Sequence, residues 1–226
     1  MKSRTLYGCC MAAAILLSTS FAQAQVFFPD PFPNPDTLTP GAGFYSIPNE
    51  PGKSFHEARQ NFLQEEAKIA AADIRKGAAY LKMEKAVAKK EMQDVIAASE
   101  RDLEKLAQNV ENGTVESARE LDAVFARAHQ ALAKSYITRA TEAWAKKDAT
   151  QTGHYLKTAV AHFRSYLAWS GQKLDAATAA SIRDCRAIAD KLIQGTNYAS
   201  AEVGKALKSV AKEIDRPGME PPPEKK

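Results

Sequence analysis

One stretch, Asp148 to Gly171, limits what this chain can fold into more than any other. Laid on a helix at about 100° per residue, Leu156, Val160, Phe163 and Leu167 fall in one stripe. Tyr155, Ala159, His162, Tyr166 and Trp169 fall in a second stripe beside it. Together they cover roughly half the circumference, against the roughly 100° apolar face of an ordinary surface helix. Only Lys157 and Arg164 carry charge between the ends. Asp148 suits the N-cap with Gln151 as its capping-box partner, and Gly171 suits the C′ position. A rod this apolar needs neighbours on more than one side, so the sequence predicts it at the centre of a bundle.

The neighbours are legible as further helices. From Ser54 to Asn112 there is no proline and one interior glycine, Gly77. Phe55, Phe62 and Ile69 recur at sevens, and Met92, Ile96, Ser99, Leu103, Leu106 and Val110 continue a seam in steps of four and three. A single helix of that length would run close to 90 Å at 1.5 Å per residue, so a fold-back is predicted between Val87 and Gln93, although no turn residue marks it. Ser54 with Glu57 reads as the opening capping box. Asn112, Gly113 and Thr114 read as stop and restart, with Thr114 as the next N-cap. The helix predicted over Val115–Lys147 joins the central one through Lys147-Asp148, a link that permits only an antiparallel hairpin. Leu174–Gln194 and a stripe of Val203, Leu207, Val210 and Ile214 complete the set. The fold class is therefore all-α: an antiparallel bundle of about six helices over residues 54–216, preceded by a Pro-rich arm.

The ends are of a different kind. Lys2 and Arg4, the apolar run Met11–Leu17 and the small-x-small Ala22-Gln23-Ala24 compose a secretory signal over residues 1–24, with cleavage after Ala24. Residues 25–53 carry seven prolines and form the extended arm; residues 217–226 carry four and form a disordered tail. The expected location is the periplasm or the exterior. Losing Lys2 and Arg4 with no acid takes the formal charge from +4 to +2, a balance that argues against nucleic acid. No run reaches the length of a transmembrane span. Cys9 and Cys10 leave with the signal, so Cys185 stands alone and is expected to be a buried small hydrophobe.

Chemistry-bearing patterns are few. The four histidines, at 56, 129, 154 and 162, sit in no HExxH, CxxC or CxxCH motif. No nucleophile elbow is present, and the charges at Glu100, Arg101, Asp102, Glu104 and Lys105 alternate as on a solvated face. No enzyme activity, cofactor or metal is expected. The candidate ligand-binding residues are the aromatics and histidines of the central hairpin: His129, Tyr136, Trp144, Tyr155, His162, Tyr166 and Trp169. His129 and His162 lie on facing apolar sides, which predicts that antiparallel pairing brings them together, as a pH-sensitive latch or, with a carboxylate that the spacing does not name, a metal site. The last helix offers a membrane-surface reading, but Glu202, Glu213 and Asp215 nearly cancel Lys205, Lys208, Lys212 and Arg216.

Ala140, Trp144, Lys147-Asp148 and Tyr155 resemble one tetratricopeptide-type hairpin, without the further copies that a solenoid needs. With Ala72-Asp73-Ile74-Arg75-Lys76 and the alanine-rich hairpin at about 126 to 170, the chain resembles small exported bacterial helical proteins of the YfdX type. The resemblance implies a periplasmic helical protein with a stress-related role. The function expected is that of an exported, non-enzymatic binding or stress-protective, chaperone-like factor, acting through a helical groove or a homo-oligomer surface on an unknown protein or small ligand. The alternatives are a metal-binding, ligand-binding or pH-sensing protein using His129 and His162, and a protein associating with membrane surfaces.

Overall fold

A computed structural model describes residues 51–172 and 175–216; the leader, nearly all of the arm and the tail lie outside the described residues. Every regular element among the described residues is helical: α1 (Gly52–Leu63), α2 (Ala67–Val87), α3 (Lys90–Glu111), α4 (Ala118–Ala145), α5 (Ala149–Trp169), α6 (Ala176–Gln194) and α7 (Ser200–Ile214). The all-α bundle is as expected, with seven helices rather than about six. No described helix is long and apolar enough to cross a membrane.

The extra helix comes from a break at Gln64–Glu66 that the sequence reading did not foresee. Glu65 takes a left-handed φ of 62°, while the Glu66 amide donates to the Asn61 carbonyl at 2.8 Å and that of Glu65 to Phe62 at 3.1 Å. This is the hydrogen-bond pattern of a glycine-terminated helix, built on a glutamate. The fold-back predicted between Val87 and Gln93 occurs at Ala88-Lys89, where the Gln93 side chain donates to the Ala88 carbonyl at 3.1 Å.

Two start positions need correction. Ser54 does not cap α1: the helix begins at Gly52 after Pro51, whose carbonyl already accepts from the Phe55 amide at 3.0 Å, and Ser54 is buried within the first turn. Thr114 does not cap α4 either. Its hydroxyl closes the end of α3 on the Asn109 carbonyl at 3.1 Å, and α4 starts after Ser117, whose amide donates to the Glu120 carboxylate at 3.0 Å. Gly113, Gly171 and Gly195 all have left-handed φ where helices stop, as expected. Asp148 caps α5 through the Gln151 amide (3.0 Å), and Asp175 caps α6 through that of Thr178 (2.7 Å).

Both stripes of α5 are inside: Leu156, Val160, Phe163, Leu167, Ala159, His162 and Tyr166 are all buried, with Tyr155 and Trp169 half-buried. The centre of the bundle, however, is α4 rather than α5. α5 packs against α4, α6 and α7, whereas α4 packs against α1, α2, α3, α5 and α7. The core falls into two clusters that divide α4 between them. Leu121, Val124, Phe125, Ala128 and Leu132 join α1, α2 and α3; Ala126, Ala133, Tyr136, Ile137 and Ala140 join α5, α6 and α7. Alanine explains the exchange of roles, because small side chains on several faces of α4 let neighbours approach from opposite sides without leaving voids.

Two glycines mark the tightest helix contacts. A Cβ on Gly77 would lie 2.3 Å from the Phe55 ring, and one on Gly153 would lie 2.7 Å from the Ala189 carbonyl and 2.9 Å from Leu192 Cβ. Phe55 is fully buried, stacked on Phe125 at 4.3 Å between ring centroids. Cys185 is buried as expected, its thiol directed at the Ala206 carbonyl (3.3 Å), and burial pushes its pKa up to about 12.

Candidate functional site

The α4–α5 hairpin follows from the Lys147-Asp148 link, where Lys147 adopts φ 61° and the Asp148 amide donates back to Ala143 at 2.9 Å. Antiparallel return sets His162 of α5 against His129 of α4, with Nδ1 to Nδ1 at 3.1 Å. Both rings are buried. Such a contact requires one ring to donate through Nδ1–H and the other, neutral, to accept, and burial disfavours the charged form of both. His129 Nε2 is buried without a partner. The tautomer with the proton on His129 Nδ1 leaves only a lone pair unmet there, a lesser penalty than an orphaned donor. Desolvation holds His162 down to about 4 and, with the His162 and His56 charges adding to it, His129 well below the usual imidazole range.

From this pair a polar ladder runs outward. The His162 ring stacks on Tyr136 at 5.5 Å. Tyr136 Oη donates to Glu84 Oε1 of α2 at 2.7 Å, and Tyr80 Oη lies 3.4 Å from Tyr136 Oη. Arg139 Nη1 donates to Glu84 Oε2 at 3.0 Å, and the guanidinium lies over the rings of Tyr136 (4.8 Å) and Tyr155 (4.5 Å). Burial, then the neighbouring Tyr136 and Glu84, drives the Tyr80 phenol far up; burial and Glu84 do the same to Tyr136. Both phenols stay protonated, and Glu84 is neutralised by Arg139. The ladder is a set of satisfied donors and acceptors joining three helices.

Four of the seven candidate residues thus meet: His129, Tyr136, Tyr155 and His162. Trp169 lies elsewhere, against Phe125 (5.2 Å) and His56 (4.7 Å). Trp144 packs on Tyr198 at 6.1 Å. Tyr166 stacks with Phe163 and accepts a hydrogen bond from the Gln172 amide at 3.2 Å. Two shallow surface concavities among the described residues, of about 420 and 580 Å³, are lined by other side chains. Among the described residues no three histidine, cysteine or carboxylate side chains gather closely enough to hold a metal ion.

The sequence reading missed Tyr80, Glu84 and Arg139. A signal existed for Arg139, three residues after Tyr136 and hence on the same side of α4. For Tyr80 and Glu84 the only signal was their i, i+4 spacing, and nothing local says that their partners lie on α4.

The most exposed apolar side chains form a separate surface. Leu63, Ile69, Met83 and Val87 are 59, 51, 59 and 61 % exposed. Ile69, Ala72, Ala79, Met83, Ala86 and Val87 run along the outer side of α2, with the exposed Lys76 midway along them and Lys68 and Lys82 alongside. The acids of α2 are turned away: Asp73 is buried and holds Asn61 and Lys76 at 2.7 Å each, and Glu84 joins the ladder.

Compared with protein-family models, with curated proteins and with solved structures, the chain matches none.

Proposed function

We propose that this is an exported, non-enzymatic helical-bundle protein of protective, chaperone-like character, which holds apolar segments of other proteins against the outer face of α2. One observation carries the reading: the apolar stripe of Ile69, Met83 and Val87 stands open to solvent along a helix whose inner side is packed. Exposed apolar strips of this kind serve as contact surfaces, and methionine adapts to varied partners. Lys68, Lys76 and Lys82 along the strip, with both acids of α2 turned inward, favour clients carrying acidic side chains. The resemblance to the YfdX type agrees with a periplasmic, stress-related role.

The test is light scattering from a heat-aggregating acidic client enzyme. The full-length protein is expected to delay aggregation, and Ile69→Asp with Met83→Asp to abolish the delay while leaving the helical circular-dichroism spectrum unchanged. Equal protection by the variant sinks the proposal. A concentration-dependent dimer that dissociates in the variant and protects nothing would transfer the strip to a second copy of the chain.

A second reading is favoured by the 3.1 Å contact between His129 and His162, buried in a stretch that joins three helices. Protonating either imidazole puts a charge among rings, with Tyr136 against His162, Phe55 against His129 and His56 adding repulsion, and among the described residues no carboxylate is hydrogen-bonded to either ring. Acidification then loosens the α4–α5 hairpin. Histidine NMR titration tests this: two ordinary exposed pKa values would remove it.

A further inference from the structure

We propose that Met83 is an oxidation site that switches the outer face of α2: a peroxide-class oxidant converts its thioether to the sulfoxide, and the strip then releases apolar partners. The consequence rests on the client-holding reading above; the site itself rests on exposure and sulfur chemistry alone.

Three sulfur-bearing side chains lie among the described residues, and their surroundings set them apart. Cys185 is 1 % exposed, its thiol is directed at the Ala206 carbonyl, and burial keeps it protonated. Oxidants attack the thiolate, so this cysteine is shielded by both its place and its charge state. Met92 is half-buried and packs against the cluster that α1, α2, α3 and α4 share. Met83, in contrast, is 59 % exposed. A thioether has no proton to lose and needs no activation, so access to the sulfur decides which methionine reacts.

The position of Met83 gives the modification its effect. At about 100° per residue it falls between Ala79 and Ile69 around the helix, in the middle of the strip. Ile69 and Val87 are stiff at χ1 and the alanines have no side-chain torsion, so Met83 is the one apolar side chain of the strip that can reshape itself to a partner. Its sulfoxide is polar, and an apolar partner laid over it leaves the new oxygen without a donor. The inner side of α2 packs through Ala70, Ala71, Ile74, Ala78 and Leu81, so the change falls on the surface and spares the core.

The step balances between the two reactants. A lone pair of Met83 Sδ attacks one peroxide oxygen, and the S–O bond forms as the O–O bond breaks. The departing hydroxide takes the proton of the transferred oxygen and leaves as water. Sulfur gives up two electrons and the peroxide takes them. A methionine sulfoxide reductase reverses the product, which makes the site a switch rather than a lesion.

Graded hydrogen peroxide treatment of the full-length protein, followed by peptide mass spectrometry, tests the site. The peptide holding Met83 is expected to gain one oxygen at least about fivefold faster than the peptide holding Met92. Equal rates, or Met92 reacting first, overturn the proposal. In the aggregation assay the oxidised protein should be needed at about tenfold higher concentration for the same delay, the fold-change of one lost methionine contact. Reductase treatment should restore it, and treated Met83→Leu should protect as well as untreated. No loss in the wild type, an equal loss in Met83→Leu, or a helical circular-dichroism spectrum lost on oxidation overturns the switch. Should the untreated protein delay nothing, the client reading falls by itself and the fluorescence of a bound apolar dye decides. A fall on oxidation in the wild type but not in Met83→Leu upholds the switch, and any other pattern overturns it.

Discussion

His129 and His162 lose their hydration on folding and gain one hydrogen bond between them in return. Their folded pKa values lie below that of an unfolded histidine, so the unfolded chain binds more protons as the solution is acidified. Their contribution to stability is complete above about pH 6.5 and is lost as the pH falls from there toward about 4, the folded value of His162. The slope is at most about 1.4 kcal/mol per pH unit for each ring. Urea denaturation at pH 7.5, 6 and 5 should show this decline, and His129→Gln with His162→Gln should flatten it. The surface carboxylate of Asp175, held down to about 2 chiefly by the Thr178 amide with Arg216 adding to it, acts only below this window. The glycines give a second expectation at this scale. Gly153→Ala should destabilise by about 1–3 kcal/mol through overpacking, because the new methyl meets backbone and Leu192 Cβ rather than the end of a flexible chain. The roughly 1 kcal/mol that alanine gains over glycine in helix propensity offsets only part of this. Thermal melts of Gly153→Ala beside Gly204→Ala, where a Cβ meets nothing, isolate the packing effect.

Helix ends are where the elements differ from what their residues announce. Glu65 and Lys147 both close a helix in the left-handed region that glycine occupies without strain. Lys147→Gly should therefore stabilise the protein by about 1 kcal/mol, read as a rise of a few degrees in melting temperature. A fall instead would mean that the Lys147 side chain contributes more than its backbone loses. These two turns also explain what was legible. Stops at Gly113, Gly171 and Gly195 could be read because glycine states its backbone conformation. The stop at Glu65 could not, since a glutamate announces no left-handed backbone conformation. Burial stripes were legible on α5, α6 and α7 because a period of 3.6 survives any arrangement of neighbours. The pairing of His129 with His162 could be inferred from the short Lys147-Asp148 link. Glu84 could not, because its partners Tyr136 and Arg139 are more than fifty residues away and no local pattern encodes such a meeting.

In the molecule as a whole, two hydrophobic clusters share one helix, so neither can unfold without exposing α4 to water on that side. Unfolding in urea should be a single cooperative transition. The two tryptophans allow a direct check, for Trp169 packs against both clusters and Trp144 against the α5–α7 side alone. In Trp144→Phe the remaining fluorescence should change at the same urea concentration as the far-ultraviolet circular dichroism. Separate midpoints would mean that the clusters come apart one after the other. A rod common to two interiors also governs how such a chain can be divided. Severed at Gly113, the leading portion would forfeit the wall on which Phe55 and Leu103 rest, and the trailing portion would carry Leu121, Phe125 and Leu132 bare into solvent. Neither half would be a domain in its own right, and grafts or inserted sequences belong in the connections that flank α4, never within it.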